Sequence, residues 1–169
     1  MVETKGKLRE ATHRAGIYYE ASHEKTMDVE RLIALAIALE ALFSPADKGE
    51  FTFRISQSAA QFLARTPTER EEIFSQVREM YGRRSALFHG AYNVSKYDKG
   101  EFVTAEEVEV WASIIRRALL GFFVLYLRGE QDRQAVLDKI QSAAFDASIG
   151  DKVRADSDIE AFLLAYRSG

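Results

Sequence analysis

Two prolines stand in this chain, Pro45 and Pro67, and both fall where a helix is expected to stop or start. A helix interior does not tolerate proline, which lacks the amide donor and clashes with the preceding turn. The long intervals free of proline are therefore open to helix, and their apolar residues recur at helical spacing. No stretch of four or more residues alternates cleanly in the manner of a strand. Phe51-Thr52-Phe53-Arg54-Ile55 comes nearest, but it runs into Ser58-Ala59-Ala60-Gln61-Phe62-Leu63-Ala64, which is helical in propensity and spacing. The fold class expected is all-α, a bundle of five to six helices.

Boundaries follow from capping chemistry. A first helix is expected over about 5–24 and a second over 28–43, with Asp28 as its N-cap. Ser44-Pro45 ends the second, a polar loop follows at 47–50, and a third helix covers about 51–64. Thr66-Pro67-Thr68-Glu69 opens the fourth: Thr66 caps, Pro67 suits the first helical position, and Glu69 completes a capping box. This helix runs to Phe88 or His89, and Gly90 is the natural residue after its end. The longest connection, about 91–102, carries Tyr92, Lys96, Tyr97 and Lys99. Thr104 and Glu107 form a second capping box for a helix reaching about Arg128, ended by Gly129. A helix over about 132–147 and a short tail helix, 158–166, complete the set.

The 169 residues suit one domain. The N-terminus is charged and lacks a signal-peptide core. The longest purely apolar run, Leu32 to Leu39, is too short to span a bilayer. A cytoplasmic protein without a membrane partner is expected. With 23 basic and 26 acidic residues, the formal charge is −3, which argues against a protein that coats phosphate backbones broadly. There is no cysteine, so disulfides, thiolate metal sites and a cysteine nucleophile are excluded.

Imidazole chemistry has three candidates, His13, His23 and His89. His13 and His23, with Glu20 and Glu24, lack the ligand count of a metal centre, so no metal and no cofactor are expected. Trp111, Phe122, Phe123 and Tyr126 have the spacing of core residues rather than of a base-stacking set. Glu40 is a carboxylate in an otherwise apolar helix and needs a cation. It either orients a site arginine or pairs structurally at the rim.

The most informative stretch is Tyr81-Gly82-Arg83-Arg84-Ser85-Ala86-Leu87-Phe88-His89-Gly90. A histidine at a helix C-terminus lies among carbonyls that favour the imidazolium form, and it can serve as general acid or base. A nearby arginine can hold a phosphate and stabilise its developing charge. Arg84 and His89 are five residues apart, about 140° around an ideal helix, and do not share a face. They meet only if the helix end frays or a second copy supplies part of the site. His89 as a simple cap is the alternative.

These residues resemble the HEPN superfamily, and its Apea-like branch in particular. The similarity rests on Ala38 to Phe43 (ALEALF), the polar loop, Ser58 to Ala64, Thr68 to Phe74 (TEREEIF) and above all Tyr81 to Gly90, and its core covers about 28–128, the N-terminal helix matching less well. The superfamily's hallmark is an arginine followed after four to six residues by a histidine at the end of a long helix. Arg84 and His89 fit with four residues between them, and Arg83 fits with five. The resemblance implies an all-α bundle that forms a homodimer and brings two Arg-His motifs into one cleft. It further implies a metal-independent endoribonuclease of toxin–antitoxin or phage-defence type, with RNA as ligand and an antitoxin or effector protein as partner. Arg84 would then hold the scissile phosphate and His89 would move protons. Arg83, Ser85, Glu40, Tyr81 and Tyr92 would support or contact the substrate. Ser85 stands where many active members carry Asn, Asp or His. Other members of the superfamily are non-catalytic modules that dimerise or bind RNA.

Overall fold

The computed structural model describes residues 7–44, 50–89 and 102–167. Among them there are eight helices and no strand: α1 (Lys7–Glu24), α2 (Asp28–Phe43), α3 (Phe51–Leu63), α4 (Pro67–Phe88), α5 (Ala105–Leu127), α6 (Arg133–Ser142), α7 (Ala147–Asp156) and α8 (Ile159–Arg167). The all-α reading holds, and the count exceeds the five to six expected. The excess lies at the C-terminus. The helix expected over 132–147 stops at Ser142, and Asp146 accepts a hydrogen bond from the Ser148 amide to cap a new helix, α7, which the apolar pattern did not signal.

Capping chemistry sets most ends. Thr104 makes the full box with Glu107. Thr66 accepts from the Glu69 amide as expected, but the Glu69 carboxylate accepts from the Arg65 amide and from Arg117 instead of closing the box. Asp28 is not the cap of α2. It is the first helical residue and pairs with Arg31, while Met27 occupies the cap position without a side-chain bond. At the other end of α2, Arg133 donates to the carbonyls of Ala41, Leu42 and Ser44, satisfying acceptors that a helix end leaves open.

The bundle is built from two antiparallel hairpins, α1–α2 and α3–α4, closed over by α5, which touches all four. α2 is the most buried: Leu32, Leu35, Ala36, Ala38, Leu39 and Leu42 have no exposed surface. Phe43, Phe62 and Phe122 join α2, α3 and α5 through edge-to-face contacts with ring centres 5.0–5.9 Å apart. Gly121 makes this approach feasible, since a Cβ there would lie 2.8 Å from the Phe62 ring. Trp111 and Phe122 are core residues and Tyr126 packs against the core. Phe123 does not follow the expectation: one residue turns the helix by about 100°, and its ring is 43% exposed. α5 also has the length and mean hydropathy, 1.6, of a membrane-crossing helix, with half of that stretch buried against its neighbours.

Candidate functional site

The C-terminal third of α4 carries Tyr81, Arg83, Arg84, Ser85 and Phe88, and His89 is its C-cap, with φ −92° and ψ 6°. The His89 amide donates to the Ser85 carbonyl at 3.0 Å. Both the Ser85 and His89 side chains are exposed, and the imidazole has no partner among the described residues. Gly90, Tyr92, Lys96, Tyr97 and Lys99 lie outside the described residues.

The two arginines diverge, because adjacent positions point about 100° apart on a helix. Arg83 turns toward α5. It donates to the Phe102 carbonyl at 2.7 Å, to the Glu107 carboxylate at 2.7 Å and to Glu79 at 3.2 Å. Those partners tie the start of α5 to α4.

Arg84 turns toward α2. Its Nη1 lies 2.9 Å from Oε1 of Glu40, an ion pair with both side chains partly exposed. The contact has the distance of a hydrogen bond without its alignment, since Glu40 Oε1 has no hydrogen-bonded partner. The guanidinium carbon sits 5.9 Å from the Tyr81 ring centre and 5.5 Å from that of Phe88, both within cation–π range. An arginine has five N–H donors, and Glu40 is the one carboxylate on Arg84 among the described residues. Its Nε is buried without an acceptor.

Tyr81 is buried beneath this pair, with its hydroxyl beside Glu40 and 3.5 Å from the Ala36 carbonyl oxygen. Burial is the largest influence on Glu40 and raises its pKa above the ordinary carboxylate value, although Arg84 and the Tyr81 hydroxyl pull it back. Burial, reinforced by the Glu40 charge, likewise pushes the Tyr81 phenol well above its usual range. The Phe51 ring meets Tyr81 edge-on at 6.1 Å and closes the site from α3.

Of the expected residues, Glu40, Tyr81 and Arg84 are thus brought together. His89 lies at the same end of α4, about 7.5 Å further along the axis. Phe88 was not anticipated. Its signal was its position four residues after Arg84, where helical side chains are neighbours. Elsewhere, His23 stacks edge-on against Tyr19, and no group of three potential metal ligands occurs among the described residues. No protein-family model, curated protein or solved structure matches the chain.

Proposed function

We propose that the chain is an endoribonuclease of the HEPN type that works without a metal, using Arg84 and His89 in a site completed by a second copy. The observation that supports it is the setting of Arg84. A guanidinium held by Glu40 and two aromatic rings, with donors unspent, is preorganised for a phosphate. His89 stands exposed at the same helix end. In this reading Arg84 binds the non-bridging oxygens of the scissile phosphate. One imidazole takes the proton of the ribose 2′-hydroxyl as that oxygen attacks phosphorus. The bond to the 5′ oxygen breaks, and an imidazolium returns a proton to the leaving oxygen. The products are a 2′,3′-cyclic phosphate and a 5′-hydroxyl. The biological setting would be a toxin–antitoxin or phage-defence system with a regulatory partner protein.

A second reading is a non-catalytic module that dimerises or binds RNA within a larger effector. It is favoured by the net charge of −3 and by the carboxylate already on Arg84. RNA cleavage in EDTA separates the two. Wild type should cut, and Arg84→Ala and His89→Ala should each lose at least about a hundredfold in rate. Intact RNA with wild type, or equal cutting by both variants, would sink the nuclease reading.

A further inference from the structure

α1 and the C-terminal half of α5 enclose a groove of about 790 Å³. Its apolar wall is left to solvent: Ile17 of α1 is 54% exposed, and Phe123 and Leu120 of α5 are 43% and 39% exposed. Three large apolar side chains gathered in one groove give a partner apolar surface to cover. The groove also contains Gly16, in the interior of α1. A side chain there would meet nothing within 4 Å, so internal packing does not require glycine at this position. Glycine nevertheless costs a helix interior about 1 kcal/mol relative to alanine. What its bareness gives is room for another backbone to come close.

The polar residues on the same face of α1 are self-complementary. Arg9 and His13 line the groove in the first half of the helix, and Glu20 and Glu24 line it in the second half. All four are exposed, and none has an ion-pair partner among the described residues. Their positions are antisymmetric about the point between Gly16 and Ile17. Arg9 and Glu24 are equidistant from it, and so are His13 and Glu20. Laying a second α1 antiparallel across that point sets Arg9 against Glu24, His13 against Glu20, and Ile17 against Gly16, twice over. Such self-complementarity is what a two-fold interface between identical chains requires.

We propose that this groove receives α1 of a second copy, antiparallel to the first, with the two-fold axis passing between Gly16 and Ile17. Ile17 of each copy enters over Gly16 of the other and against Leu120 and Phe123. The Arg9–Glu24 ion pairs, with His13 in hydrogen-bonding reach of Glu20, set the register, and a parallel arrangement, which would oppose like charges, is rejected. This interface goes beyond the nuclease reading and does not depend on it.

Sedimentation velocity on the full chain is the test. Wild type should sediment as a dimer at micromolar concentration. Glu20→Lys with Glu24→Lys should weaken the dimer at least about thirtyfold. Adding Arg9→Glu and His13→Glu to that double variant should restore it. Because the chain has no cysteine, Ile17→Cys supplies a second readout and should cross-link into a covalent dimer on oxidation. The substituted positions are exposed, and helicity by circular dichroism checks that each variant folds. A monomeric wild type at a hundred micromolar, a dimer indifferent to the charge reversal, or failure of the fourfold swap to restore it would overturn the proposal. RNA cleavage does not enter this readout, so an inactive protein leaves it standing.

Discussion

Glu40 and Arg84 hold each other in a lopsided way. The Glu40 pKa is raised, so desolvation outweighs the help it receives from Arg84 and Tyr81. Its folded pKa therefore exceeds its unfolded one. What this group adds to stability is fully present below the unfolded value and is lost as pH rises through the folded value. Removing Arg84 takes away a cation that favours the carboxylate, which moves the folded pKa further up. Arg84→Ala should then cost about 1–2 kcal/mol near neutral pH, less than for a fully buried pair because both side chains reach solvent. The cost should shrink toward about pH 5, and Glu40→Gln in the same background should recover most of it. Urea denaturation at the two pH values reads this directly. An equal loss at both would mean that Glu40 is not the group left stranded.

At the level of elements, α4 turns its two arginines toward different neighbours. Arg83 bridges to the Phe102 carbonyl and Glu107, where α5 begins, and Arg84 faces α2. Arg83→Ala should therefore lower the melting temperature by about 2–6 °C while RNA cleavage stays within a fewfold of wild type. Loss of cleavage with unchanged stability would mean that the roles are reversed. This division was not legible in the sequence. The resemblance gives the phosphate to Arg84 and a supporting place to Arg83, but only the partners on α5 and α2 show which neighbour each arginine faces. The helices themselves were legible wherever a cap or a breaker marked the end, as at Thr66, Thr104 and Gly129. The C-terminal helices were less so. The break between α6 and α7 has neither proline nor glycine, and only Asp146 announces the restart. Glu40 could be read as needing a cation, because a lone carboxylate in an apolar helix has few alternatives. That the cation is Arg84, stacked on Phe88, depends on the packing of α4 against α2.

For the whole molecule, the question is how a mildly acidic chain would present the proposed phosphate site. A compact site needs few cations, and the net charge of −3 is compatible with one that contacts one or two phosphates. Five positions of an ideal helix would set Arg84 and His89 about 140° apart. A site that uses both is most simply assembled from two chains. The α1 pairing and a cleft at the end of α4 are separate statements about how copies meet. A single two-fold axis serves both only if it passes through both places. Complementation tests the shared cleft without reference to α1. Arg84→Ala and His89→Ala are each expected to be inactive alone. Mixed and allowed to exchange subunits, they should form heterodimers in which one intact Arg84 faces one intact His89. Cleavage of RNA in EDTA should then return to a sizeable fraction of the wild-type rate. If the mixture stays as inactive as its components while subunit exchange is confirmed, Arg84 and His89 do not act together across two chains, and the proposed site is wrong.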